Sequence, residues 1–99
     1  MTKPLPLIPP GEILLEEFLK PLGISQNRLA RDIDVPVSRV AGIVKGTRAI
    51  TADTALRLGL YFGTTAEMWM RLQGACDLRS ASRSVGAEIA ARVKVFDAA

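Results

Sequence analysis

Between Ser25 and Gly46, two short runs with helical apolar spacing are separated by only three residues, and few folds accommodate that pattern. The first run, QNRLARDI, follows Ser25, a good N-cap, and places Leu29, Ala30 and Ile33 on one face. The second, VSRVAGIVK, carries Val40, Ile43 and Val44 as an apolar stripe and closes on Gly46, a residue suited to the left-handed C′ position. Asp34-Val35-Pro36 lies between them. Helices this short must bury their facing stripes against each other and against further helices. Joined by so tight a turn, they form a helix-turn-helix unit, whose second helix can enter a DNA major groove. In this reading Leu29, Ala30, Ile33, Val35, Val40 and Ile43 hold the crossing angle from beneath, with Ala30 as the small residue at the crossing.

The rest of the chain supplies the supporting helices. Residues 1–9 carry prolines at 4, 6 and 9, with another at 10, which predicts an extended flank. GEILLEEFLK, with acids Glu12, Glu16 and Glu17 and apolar Leu14, Leu15, Phe18 and Leu22, predicts a first helix that Pro21 and Gly23 stop. Thr51 caps a fourth helix with Ala55, Leu58 and Phe62 inward, ending at Gly63. Thr65 caps a fifth, AEMWMRLQGACDL. The Ala-rich tail from Ser80 places Val85, Ile89, Val93 and Phe96 on one stripe and predicts a sixth helix. The expected organisation is therefore all-α: a flank over 1–9, a five-helix DNA-binding domain over 10–79, and a helical tail over 80–99.

Charge is informative by location. The formal net charge of +3 falls entirely within residues 25–48, where Arg28, Arg31, Arg39, Lys45 and Arg48 outweigh Asp32 and Asp34. A nucleic-acid backbone selects such a footprint. Other function classes are disfavoured. The chain has no His and one Cys, so neither a zinc set nor an intrachain disulfide is expected, and the usual imidazole base is missing. Glu16 and Glu17 are adjacent on a helix and do not face one another as an acid-base pair would. No catalytic residue, metal or cofactor is expected. Apolar stretches such as Ile13 to Leu15 are far shorter than a membrane span, which leaves a cytoplasmic, nucleoid-associated protein as the expectation.

The stretches PGEILLEEFLKPLGISQNRLA, VPVSRVAGIVKGTRAITADTALRLGLYFGT and EMWMRLQGACDLR closely resemble the HigA/VapI antitoxins, from Pro10 to about Arg79. These antitoxins are a branch of the Xre, lambda-repressor-like helix-turn-helix proteins. The resemblance implies an antitoxin that neutralises a HigB-type, RelE-like ribosome-dependent ribonuclease and represses its own operon, usually as a homodimer. Some relatives act as stand-alone regulators without a toxin, and that is the alternative. The family usually has Gly where this chain has Asp34, at a turn position that tends to need a left-handed backbone.

In this geometry the exposed start of the third helix faces base edges, which assigns Val37, Ser38, Arg39 and Gly42 to base readout. Gly42 weakens its helix by about 1 kcal/mol relative to Ala, so close approach to DNA or crowding against a neighbouring helix must account for it. Gln26, Lys45, Thr47 and Arg48 are assigned to phosphates. The plainer alternatives are that Arg28 and Arg31 are solvated cations and that Arg39 pairs with an acid of the first helix. Trp69 and Leu72 are expected to anchor the core or an interface. The tail stripe of Val85, Ile89, Val93 and Phe96 is expected to dock on its own bundle, on a twofold mate or on the toxin. A dimer reads a near-palindromic operator with half-sites roughly 10 bp apart, or a multiple of that.

Overall fold

A computed structural model describes residues 8–97, which form five helices and, among the described residues, no strand. Helix α1 spans residues 10–22 and is followed by α2 (Gln26–Asp32), α3 (Val37–Lys45), α4 (Ala52–Phe62) and α5 (Ala66–Arg92). Most of the flank expected over 1–9 lies outside the described residues.

Local chemistry sets the boundaries. The side chains of Ser25, Thr51 and Thr65 accept hydrogen bonds from the backbone N–H groups of Arg28, Thr54 and Met68, each satisfying one of the unpaired donors at its helix start. Gly23, Gly46 and Gly63 end α1, α3 and α4 in the left-handed conformation. Asp34 does the same after α2, with φ of 59°. Its N–H donates to Arg31 O and the next N–H, of Val35, to Ala30 O, so an aspartate closes the turn in the manner usual for glycine. Asp34→Gly removes the Cβ from a left-handed site and is expected to stabilise the fold by about 0.5 kcal/mol. Asp34→Ala, which loses the tolerance of Asp for this conformation, is expected to lower stability by about 1 kcal/mol in urea titrations.

Two elements depart from simple periodicity. Residues Leu14–Leu19 of α1 form a wider, π-helical turn, seen in the Lys20 N–H donating to Leu15 O. Pro21 offers no N–H to the carbonyl four residues back and its ring crowds it, which a wider turn accommodates. The register shift buries Leu14 and Leu19 and leaves Leu22, expected inside, exposed. The helix expected for the tail is not a separate element: α5 runs 27 residues without a break at Ser80. Neither Pro nor a left-handed Gly interrupts it, since Gly74 and Gly86 keep negative φ. It ends at Arg92, where Val93 turns extended, so Val93 and Phe96 do not continue the helical stripe of Val85 and Ile89.

One core joins the helices. Leu14 and Leu19 from α1, Leu29, Ala30 and Ile33 from α2 and its end, and Val40 and Ile43 from α3 are all buried. Ile50, Ala55, Leu58 and Trp69 complete it, and Val35 packs against it half-buried. Trp69, expected as an anchor of the core or of an interface, is 0% exposed within the single chain and belongs to the core. Leu72 packs at its edge. Beyond Asp77 every helical residue except Gly86 is exposed, including Leu78, Val85 and Ile89, so the tail does not dock on its own bundle.

Candidate nucleic-acid interface

Helix α3 turns Val40 and Ile43 into the core and leaves Val37, Ser38 and Lys45 exposed. Ser38, Gly42 and Lys45 follow one another at four and three residues and share its outer face. The angle of α3 is fixed at both ends. At its start the Asp34 turn packs α2 against it, and at its end the Gly46 N–H donates to Ile43 O while those of Thr47 and Arg48 donate to Gly42 O. Thr47 adds its hydroxyl to the same carbonyl, at 3.3 Å. The following loop is tied to α5 by the Ile50 N–H, which donates to Gln73 Oε1 at 2.7 Å.

The returning loop also accounts for Gly42. A Cβ there would lie 3.1 Å from Arg48 Cβ and 3.6 Å from Thr47 Oγ1. The missing side chain makes room for the loop that carries Thr47 and Arg48, not for a neighbouring helix. Lys45, Thr47 and Arg48 are exposed around this loop, and Gln26 is half-buried at the first position of α2.

Arg39 is held from a direction other than the first helix. Its Nη1 donates to Asp53 Oδ2 at 2.7 Å, and Asp53 lies in the first turn of α4. The same carboxylate accepts from Arg57 Nε at 2.9 Å and Nη2 at 3.4 Å. Arg57 Nη1 in turn donates to the carbonyls of Ile33, at 2.8 Å, and Asp34, at 3.2 Å. Hydrogen bonds from Arg57 and Arg39 keep the Asp53 carboxyl below the ordinary value of 3.8, so it remains an anion throughout the neutral range. Sequence reading missed this chain of contacts. The i,i+4 spacing of Asp53 and Arg57 is visible in the sequence, but the reach of Arg39 across to α4 is tertiary.

A second anion borders the same region. Tyr61 Oη donates to Asp32 Oδ2 at 2.7 Å, and this bond, ahead of the Arg28 guanidinium 3.4 Å away, lowers the Asp32 carboxyl from its usual value. Among the described residues, no helix is long and apolar enough to cross a membrane.

The helix-turn-helix family profile matches residues 15–69, which cover α2, α3 and α4 with parts of α1 and α5. The architecture and the profile together define a helix-turn-helix protein. Virulence-associated protein I of Dichelobacter nodosus is 52% identical over 79 residues, covering 80% of this chain and 73% of that protein. An addiction module antidote protein of the HigA family from Coxiella burnetii superposes with a TM-score of 0.88 at 44% identity, over 93% of this chain and 100% of that one. The Pseudomonas aeruginosa antitoxin HigA, solved with the higBA promoter, superposes with a TM-score of 0.89 at 41% identity, over 93% and 100% respectively. Within the helix-turn-helix class, the chain belongs to the HigA family.

Proposed function

We propose that this protein is an antitoxin that binds its own operator as a homodimer, represses its own operon and neutralises a HigB-type, RelE-like mRNA-cleaving toxin. The observation that carries the DNA half is the α2–α3 unit: its buried side fixes the angle of α3, and its exposed start presents Val37 and Ser38 beside Arg39. Arg39 addresses guanine, Ser38 donates to or accepts from several bases, and Val37, 46% exposed, meets a thymine methyl. Gln26, Lys45, Thr47 and Arg48 bind phosphates on either side. The likeness to a HigA structure solved with promoter DNA supports the same reading. The exposed second half of α5 leaves an apolar surface for the twofold mate or the toxin. The protein acts without catalysis, in the cytoplasm at the nucleoid.

Two variants separate the roles. Arg39→Ala is expected to relax preference at one base pair of each half-site, at a loss of roughly 1–3 kcal/mol. Lys45→Ala is expected to weaken all sequences alike and to reduce the salt slope by about 1. The readout is binding to duplexes substituted one base pair at a time, and equal effects of both variants on every sequence would contradict the assignments. For the toxin half, the product of the adjacent reading frame should co-purify with the full chain and lose its ribonuclease activity in the complex. An adjacent frame whose product neither binds nor is inhibited favours a stand-alone regulator.

A further inference from the structure

Arg39 is the one residue assigned to base readout that the fold holds by its charged group, and the holding is done by a carboxylate on a different helix. We infer that Asp53 is a positioning residue for base readout, aligning the Arg39 guanidinium for guanine while Arg57 fixes Asp53 to the turn between α2 and α3. The inference rests on the operator-binding reading above and extends it to residues outside the helix-turn-helix.

The geometry carries the case. Arg57 clamps both oxygens of Asp53 with one edge of its fork and grips the Ile33 and Asp34 carbonyls with Nη1. The carboxylate is thereby referenced to the same turn that sets the angle of α3. Arg39 gives one nitrogen to this anchor, which leaves the other donors of its fork to address O6 and N7 of a guanine. Unheld, a long arginine side chain spreads over many rotamers and must be ordered when it binds. Held, it meets the base already aligned. Stability alone is a weak reason for the arrangement, because ion pairs as exposed as these contribute little to folding. Asp53 is also an anion beside a surface meant for phosphates. Its general electrostatic effect on DNA binding is unfavourable, so its benefit has to lie in discrimination.

The test is a double-mutant cycle in DNA binding, using fluorescence anisotropy with the full-length dimer. The probes are the chain's own upstream duplex, a set substituted at each base pair, and a scrambled duplex. Asp53→Asn is expected to bind the scrambled duplex a few-fold more tightly, having lost an anion. It should also lose about tenfold in discrimination at the base pair that Arg39 reads, out of the roughly 5- to 150-fold a bidentate arginine supplies. In an Arg39→Ala background the same change should leave discrimination at that base pair unaltered. Asp53→Glu, which keeps the charge at the start of α4 but moves the carboxylate outward, should fall between wild type and Asp53→Asn. Melting temperatures within a few degrees of wild type establish that each variant folds, and Asp53→Glu carries the test if Asp53→Asn does not.

Three results overturn the inference while leaving operator binding intact. One is unchanged base preference in Asp53→Asn, and a second is an equal loss in the Arg39→Ala background, which marks a merely structural effect. The third is tighter binding with preference preserved, which marks the pair as a latch that DNA must break. A wild-type protein with no preference between its own duplex and the scrambled one overturns both this inference and the operator-binding reading.

Discussion

Gly11→Ala is expected to destabilise the protein by about 3 kcal/mol or more, a loss of roughly 12–24 °C in melting temperature for a domain of this size. Gly11 is buried where α1 crosses α3, and a Cβ built there would coincide with the Ile43 carbonyl oxygen. It would also lie 2.6 Å from the Ile43 carbonyl carbon and 2.9 Å from Val44 Cα. These are backbone atoms of a helix capped at its end and packed on both sides, so no side chain can swing away to relieve the overlap. The helices must separate, and α3 is the helix assigned to the groove. DNA binding should therefore fall together with stability. Gly74→Ala is the control: nothing lies within 4 Å of its added methyl, and an alanine inside α5 should gain about 0.5–1 kcal/mol. Thermal melts followed by circular dichroism read both. A Gly11→Ala protein within 1 kcal/mol of wild type would mean that α1 does not press on α3 as described.

Trp69→Ala should be of similar size, about 3–5 kcal/mol. The indole is wholly buried at the meeting of α1, α4 and α5, with ring centres 5.0 Å from Phe18 and 6.2 Å from Phe62. Its Nε1 donates to Thr64 Oγ1 at 3.0 Å, so truncation removes both the largest apolar side chain of the core and a partner of the threonine. Trp69→Phe keeps most of the volume and should lose only about 1–2 kcal/mol, through the hydrogen bond and the residual cavity. The chain has one tryptophan, so its fluorescence follows unfolding of the wild type directly, while circular dichroism serves the variants. Truncation of Trp69 within 1 kcal/mol of wild type would place the residue outside the core after all.

What the sequence discloses is mostly local chemistry. Ser25, Thr51 and Thr65 announce helix starts, and Gly23, Gly46 and Gly63 announce ends, because capping depends on residues a few positions apart. Asp34 is legible as a left-handed turn residue once the two apolar stripes fix where the turn must be. Tertiary facts are not legible in this way. Nothing near Gly11 in sequence says that a carbonyl 32 residues onward will touch it, and the acid nearest Arg39 in space lies on α4 rather than on the acid-rich first helix. The unbroken α5 was hidden because a run of Ser and Ala around residue 80 resembles a boundary, yet it contains no residue that stops a helix. The π-helical turn was hidden because its cause, Pro21, acts on the turns before it.

Operator binding is the central claim, and fluorescence anisotropy against the chain's own upstream DNA and a scrambled duplex, at two salt concentrations, tests it most directly. With about four phosphates contacted per protomer, the dimer should show a log-log salt slope near −7 and a clear preference for the upstream duplex. Equal, weak binding to both duplexes with a slope near zero would contradict it.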